Sequence, residues 1–159
     1  MSKSGPAALD LAAFTPYRVA VLGRAMSERL GAAYASEGLT IPEWRVLAVV
    51  SQAPSLAARD VVARTPMDKM AVSRAVASLE TKGLVQRAPA ADRRVAEIRL
   101  SADGRRLFDR VSRIALDYEA SLFSTLTPAE RAGFFDGLAK LERAIGVWAP
   151  AGRALEYVE

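Results

Sequence analysis

The chain contains 159 residues, of which 51% are hydrophobic and 25% are charged, and its formal net charge is +4. This length and composition are typical of one globular domain with a sizeable buried core. Histidine and cysteine are both absent, which excludes histidine-dependent catalysis, disulfide bonds, thiol sensors and metal sites built from these two ligands. We expect neither a cofactor nor a metal.

The positive charge is concentrated in the middle of the chain. Residues 68–113 contain eleven Lys and Arg against six Asp and Glu, so the remainder is close to neutral. A basic centre between neutral ends is typical of a DNA-binding core with flanking helices. The apolar run at 46–50 is far too short to cross a bilayer, and the first residues lack the apolar segment of a signal peptide. We therefore expect a cytoplasmic, nucleoid-associated protein with no membrane partner.

Three helices are predicted in the first part of the chain. Apolar spacing indicates a first helix from about Asp10 to about Ser36, ended by Gly38. Thr40 and Glu43 have the spacing of a capping box and predict the start of a second helix. A short third helix is expected over residues 57–64.

Residues 68–82 predict a fourth helix with one buried and one outward face. At about 100° per residue, a narrow apolar stripe forms the inward face, with Asp68 as the amino-terminal cap and Gly83 at the carboxyl end. The opposite side and its flanks carry mostly small or basic side chains, namely Lys69, Met70, Ser73, Arg74 and Ala77. Small side chains let a helix approach base edges, and Arg74 could donate two hydrogen bonds to guanine. The alternative is an ordinary solvated face with one arginine.

A hairpin follows this helix. Residues 95–100 alternate between apolar and polar side chains as a half-buried strand does, and Leu84–Arg87 supplies a partner strand. The connection, residues 89–94, carries Asp92, Arg93 and Arg94. Arginines at a turn are usually only solvated, but these two follow a candidate recognition helix and could reach phosphates or a minor groove, with Asp92 directing Arg94. Helix, strand, basic turn and strand in this order predict a winged helix–turn–helix.

Two further helices are predicted after the hairpin. Ser101 can cap the fifth, and Thr127 with Glu130 forms a capping box for the sixth, which Gly146 ends. Both carry apolar stripes at helical spacing, made of Leu107, Val111, Ile114, Tyr118 and Leu122 in the fifth and of Phe134, Leu138, Leu141 and Ile145 in the sixth. This apolar surface exceeds what a winged-helix core needs, so we expect a two-fold dimer of terminal helices. The alternative is that these helices cover only their own domain.

Three motifs at fixed mutual distances resemble the MarR (multiple antibiotic resistance regulator) family of winged-helix transcription factors. They are LTIPEWRVL at 39–47, AVSRAVASLETKGLVQR at 71–87 and DRRVAEIRLSADG at 92–104. The last is similar to the family's Asp-x-Arg wing followed by its L-T/S-x-x-G helix start. The resemblance implies a mainly α fold of about six helices plus a β-hairpin wing. It divides one compact domain into an N-terminal dimerisation helix (1–38), a DNA-binding region (39–104) and C-terminal dimerisation helices (105–159).

The resemblance also implies a function. It predicts a homodimeric regulator, expected to be a repressor, that binds double-stranded DNA at a pseudo-palindromic operator, with Arg94 contacting DNA and Asp92 orienting it. Family members are often released by a small anionic or phenolic effector that binds between the first, second and fifth helices. Aromatic and basic residues placed there would suit an aromatic or phenolic acid, and the candidates are Tyr17, Arg18, Trp44, Arg45 and Arg110.

The alternatives to regulation of transcription are catalysis and protein–protein contact. Catalysis is disfavoured because histidine is absent, because no phosphate-binding glycine loop occurs, and because most carboxylates lie at helix starts or beside basic residues. We therefore expect no enzyme activity. A winged helix used only for protein–protein contact would have little need for the outward basic set of Arg74, Arg93 and Arg94.

Overall fold

The computed structural model describes residues 9–89 and 96–146. Within these ranges the protein is mainly helical with a small antiparallel sheet, which confirms the predicted winged helix–turn–helix class. In chain order the elements are α1 (Thr15–Ala33), a 3-10 helix (Ala35–Glu37), α2 (Ile41–Val50), β1 (Leu56–Ala57), α3 (Ala58–Ala63), α4 (Lys69–Thr81), β2 (Val85–Pro89), β3 (Ala96–Leu100), α5 (Ala102–Phe123) and α6 (Pro128–Ile145).

The helix caps that were predicted from neighbouring residues are confirmed. The Asp68 carboxylate accepts a 2.7 Å hydrogen bond from the Ala71 amide at the start of α4. Reciprocal capping boxes begin α2 at Thr40 and α6 at Thr127. Gly83 follows α4 with a φ of 69°, a left-handed conformation that glycine adopts without strain. These local signals fix where α4, the candidate recognition helix, begins and ends.

The first helix is shorter than predicted. The sequence indicated a helix from Asp10 to Ser36, whereas α1 covers Thr15–Ala33 and is followed by a separate 3-10 helix. The carboxylate of Asp10 instead accepts a hydrogen bond from the Ala12 amide and forms a turn. The helix then begins at Thr15, with Pro16 in its first turn, where the missing N–H of proline removes no intrahelical hydrogen bond.

The sheet has one strand more than the sequence indicated. Its order is β1-β3-β2, with Leu56 opposite Ile98 and Val85 opposite Leu100. Strand β1 has only two residues, too few to show the alternating sequence pattern of a strand, and it forms because it pairs with β3. The partner strand predicted over Leu84–Arg87 is Val85–Pro89, and the third helix predicted over 57–64 is Ala58–Ala63.

The apolar core lies in the winged-helix lobe. Val46, Leu47, Val61, Leu79 and Ile98 are buried where α2, α3 and α4 meet the sheet. By contrast, neither α1 nor α6 contains a buried residue. No helix in residues 9–89 and 96–146 is both long and apolar enough to cross a membrane.

Candidate nucleic-acid interface, effector pocket and dimer surface

Helix α4 separates its apolar and polar side chains as predicted. Val72, Ala75, Val76 and Leu79 are buried against the core. The other side presents Lys69, Met70, Ser73, Arg74 and Ala77 to solvent. In the described part of the chain, neither Lys69 nor Arg74 takes part in an ion pair. Both cations are therefore available to an external anion, and the small side chains beside them leave room for close approach.

A buried carboxylate holds the carboxyl end of α4. Glu43, in the first turn of α2, is only 3% exposed. It accepts hydrogen bonds from Ser78 Oγ at 2.6 Å and from Lys82 Nζ at 2.7 Å, and Thr40 adds its capping contacts. Burial alone would raise the pKa of Glu43, but these hydrogen bonds outweigh it and bring the pKa to about 2, below the ordinary 4.5. Glu43 is therefore ionised throughout the physiological range.

A cavity of about 370 Å³ lies between α3, α4 and the sheet. Arg59 and Arg87 line it together with Lys69 and Ser73, and Arg87 also pairs with Glu80 at 2.8 Å. Neither Arg59 nor Arg87 belongs to the predicted outward face of α4. Only their basic character could have suggested them, because α3 brings Arg59 and strand β2 brings Arg87 to the edge of α4. Each also lies beside a carboxylate, because Arg59 is 4.0 Å from Asp60 and Arg87 pairs with Glu80.

The predicted wing residues Asp92, Arg93 and Arg94 lie outside the described residues. The strands on either side are paired up to Pro89 opposite Ala96. The hairpin that would carry the wing is therefore present next to α4 and β1. The role of the three residues stays a prediction.

The five residues predicted to bind an effector lie in separate places within one protomer. Tyr17 and Arg18 line a groove at the start of α1, and Arg45 lines another groove, where it donates a 3.2 Å hydrogen bond to Ser27. The ring of Trp44 stacks on Phe108, with ring centroids 5.8 Å apart, and Arg110 forms an exposed ion pair with Glu37 at 3.1 Å. The protomer alone does not bring the five side chains into one cavity.

A different cavity occupies the crevice between α1 and α5. Its volume is about 410 Å³, and its lining is largely apolar, with Met26, Leu30 and Leu122 among the contributing residues. The hydroxyl of Tyr118, another lining residue, is buried and has no hydrogen-bond partner within the described ranges. An unpartnered hydroxyl in an apolar crevice is a natural anchor for a polar group of a ligand. The predicted α5 stripe included Tyr118 only as a packing residue.

Helix α6 exposes the apolar stripe that the sequence predicted, whereas Leu107 and Val111 of the predicted α5 stripe are buried in the core. On α6, Phe134 is 41% exposed and Leu141 is 55% exposed. Tyr17 and Val21 on α1 are about half exposed as well. A cluster in which Phe123 contacts Phe134 and Phe135 fixes α6 where it leaves α5. The rest of α6 keeps an apolar face uncovered.

Comparison with known proteins agrees with this architecture. A family model described as "MarR family" matches residues 37–95. The HTH-type transcriptional repressor Rv2887 of Mycobacterium tuberculosis is 29% identical over 126 residues, which cover 79% of this chain and 88% of the relative. The crystal structure of Rv2887 with p-aminosalicylic acid has a TM-score of 0.69 at 27% identity, covering 81% of this chain and 98% of that one.

A MarR-family regulator from Silicibacter pomeroyi is similar over a larger part of the chain. Its crystal structure has a TM-score of 0.71 at 26% identity, and the match covers 92% of this chain and 95% of that one. The similarity therefore includes the terminal helices as well as the winged-helix lobe. Residues 37–95 of this chain thus match the MarR family, and over most of its length the chain is similar to winged helix–turn–helix transcriptional regulators of that family.

Proposed function

We propose that this regulator is a repressor that binds a pseudo-palindromic operator in double-stranded DNA as a homodimer. The observation that carries the proposal is the outward face of α4, where exposed Lys69 and Arg74 have no ion-pair partner among the described residues. A helix backed by a buried stripe and fronted by small and basic side chains suits the major groove. The chain is similar to a protein named a transcriptional repressor, which supports repression as the proposed effect on transcription.

Each residue of this face has a distinct proposed role. Arg74 donates to a guanine edge, and Lys69, at the amino end of the helix, contacts a phosphate. Ser73 and Ala77 permit close approach, while Met70 contributes apolar contact. On the wing, Arg93 and Arg94 enter the neighbouring minor groove or contact phosphates, and Asp92 directs Arg94.

The homodimer would cover the apolar faces of α1 and α6. Four large side chains on one face of α6 are 39–75% exposed in the protomer. An apolar face of this length on an isolated protomer favours association with a second copy of the chain. A two-fold axis between terminal helices places two copies of α4 so that they can meet successive major grooves about one helical turn apart.

The effector we propose is a small aromatic or phenolic acid. The Rv2887 complex with p-aminosalicylic acid supports this class of ligand. Candidate contacts are those predicted from the sequence, Tyr17, Arg18, Trp44, Arg45 and Arg110. The α1–α5 crevice adds Tyr118, whose buried hydroxyl has no partner within the described ranges. Calorimetry with a panel of aromatic acids tests this part: no heat and no effect on DNA binding would reject it.

The DNA-binding proposal is tested by selecting bound sequences from random duplex DNA. The affinity for the winning sequence is then titrated against salt. We expect an enriched pseudo-palindrome and a logarithm of affinity that falls steeply with the logarithm of salt concentration, because phosphate contacts release counterions. Weak, salt-sensitive binding without enrichment would reject operator recognition and favour the alternative, a winged-helix protein-interaction module without operator specificity.

Replacing Arg94 by Ala further distinguishes operator recognition from the protein-interaction alternative. We expect affinity for the selected operator to fall at least about tenfold, because the wing would lose its minor-groove or phosphate contact. Arg143→Ala is the matched control, since Arg143 is an exposed residue in the last turn of α6. Equal operator affinity for Arg94→Ala and the control would remove the wing from the DNA interface.

A further inference from the structure

Glu43 has more hydrogen-bond partners than a helix cap requires. It is the one buried acidic or basic side chain in residues 9–89 and 96–146. Its Oε1 accepts from Ser78 Oγ at 2.6 Å and from Lys82 Nζ at 2.7 Å. Its Oε2 accepts from the Thr40 amide at 2.8 Å and from Lys82 Nζ at 2.9 Å. Capping accounts only for the Thr40 contacts, so Ser78 and Lys82 need another explanation.

Lys82 extends these contacts to a third element. Besides Glu43, its Nζ donates a 2.9 Å hydrogen bond to the carbonyl oxygen of Gly38. Gly38 ends the 3-10 helix that follows α1. Ser78, Lys82, Glu43 and Gly38, called here the α4 clamp, thus join the carboxyl end of the recognition helix to the start of α2 and to the end of the first helical segment.

The α4 clamp restricts the orientation of α4, which apolar packing alone does not do. The inward stripe of α4 consists of valine, alanine and leucine side chains, and burial of apolar area is non-directional. Hydrogen bonds to a carboxylate require defined distances and angles. A buried ion pair is often no more stabilising than apolar residues of similar size. Fixing an orientation is therefore a better account of these residues than adding stability.

The clamp lies at the opposite end of α4 from most of the DNA-facing residues. The helix has 13 residues, so its ends are roughly 20 Å apart. A swing of roughly 10° about the clamped end would move the amino end by about 3.4 Å, which equals one base-pair step. Lys69, Met70, Ser73 and Arg74 all lie in the half that would move.

We propose that Glu43, Ser78 and Lys82 are positioning residues that set the angle of α4 to α1, and thereby the half-site separation that the dimer accepts. This inference rests on the proposed function, because it requires two recognition helices on one operator. It assigns specificity for spacing to residues that do not face DNA. Arg74 and its neighbours still determine which bases are recognised within each half-site.

The test compares wild type with two variants of the full chain. Ser78→Ala removes one hydrogen bond and leaves the charges and the Thr40 cap in place. The double variant Glu43→Gln/Lys82→Met removes both charges without leaving one buried and unpaired. Lys140→Met is the matched control, because Lys140 pairs with Asp136 within α6 at 2.6 Å and is exposed. Circular dichroism and thermal unfolding establish that each protein is folded at the temperature used.

Binding is measured on duplexes that carry the half-sites selected by wild type, at the selected separation and at separations changed by one or two base pairs. We expect wild type and Lys140→Met to prefer one separation. Ser78→Ala and the double variant should lose affinity at that separation by about tenfold or more. Their affinity for the altered separations and for non-specific DNA should stay within about twofold of wild type.

The outcomes separate the inference from the function on which it rests. If wild type selects paired half-sites but the variants keep its spacing profile, or weaken binding equally on every duplex, the α4 clamp only stabilises the fold and the inference is wrong. If wild type selects no paired half-sites, the proposed operator recognition fails before any variant is compared. Should the double variant not fold, Ser78→Ala decides the question alone.

Discussion

Gly104 in the first turn of α5 lies directly against the backbone of Leu84. A β-carbon at position 104 would meet the Leu84 carbonyl oxygen well inside the 3.0 Å that real β-carbons keep. The same junction has Ser101 donating from its amide to the Leu84 carbonyl at 3.0 Å and from its hydroxyl to the Gly83 carbonyl at 2.6 Å. The start of α5 is therefore joined to the segment that leaves the recognition helix.

This contact predicts that Gly104→Ala destabilises the fold. The added methyl group meets backbone atoms of Leu84, so α5 and the segment before β2 must move apart at a cost of about 1–3 kcal/mol. Urea denaturation of the purified protein measures the change. Gly133→Ala is the matched control in α6, where a β-carbon meets nothing within 4 Å. It should be neutral or stabilising by up to about 1 kcal/mol; equal losses in both variants would contradict the explanation.

The junction also shows which parts of the fold could be predicted from the sequence. Ser101, Thr40 and Asp68 were identified as caps because a cap depends on residues within four positions of itself. The glycine of the L-T/S-x-x-G motif was identified only by resemblance. Its physical reason, the approach of Leu84, depends on a residue 20 positions earlier and appears only in three dimensions.

Longer-range partners account for what the sequence did not predict. Lys82 is the last residue of the predicted fourth helix, and nothing near it in the sequence indicates its partner Glu43, which is 39 positions away. Strand β1 likewise depends on its pairing with β3, which places Leu56 opposite Ile98. For the candidate site, periodicity predicted the outward face of α4 correctly. It could not predict that Arg59 and Arg87 lie beside that face.

The buried carboxylate of Glu43 should make the stability of the fold depend on pH. Its pKa in the folded protein is about 2, below the ordinary 4.5. The ionised form therefore stabilises the folded state fully above the ordinary value, and this contribution is lost as the pH falls from about 4.5 toward about 2. The loss amounts to roughly 3 kcal/mol.

Glu43→Gln tests this dependence because glutamine does not titrate. Urea unfolding at a series of pH values from 7 to 3 should give a shallower decline in stability for the variant than for wild type. The slopes are compared rather than the absolute stabilities, because glutamine also weakens the contact with Lys82. Parallel declines would show that Glu43 does not titrate in the predicted window.

Arg74 and Lys69 should differ in how their loss affects DNA binding. Arg74→Ala should cost on the order of 1–3 kcal/mol on the selected operator and relax the preference at one base pair, because it removes a base contact. Lys69→Ala should weaken binding to all duplexes similarly and reduce the salt slope by about 1, because it removes a phosphate contact. Competition binding with single-base operator variants at several salt concentrations measures both effects. A uniform loss for Arg74→Ala would reject its base contact.

Leu141 tests whether a second copy of the chain covers α6. It is 55% exposed in the protomer, so Leu141→Glu should leave the protomer folded. In the proposed dimer the new carboxylate would be buried against apolar side chains, and the dimer should weaken by on the order of a hundredfold. Sedimentation equilibrium should then detect the 17.1 kDa protomer at concentrations where wild type is dimeric. Ala132→Glu introduces the same charge at an exposed position earlier in α6 and should leave the dimer intact. If Leu141→Glu remained dimeric, the apolar face of α6 would not be part of the dimer interface.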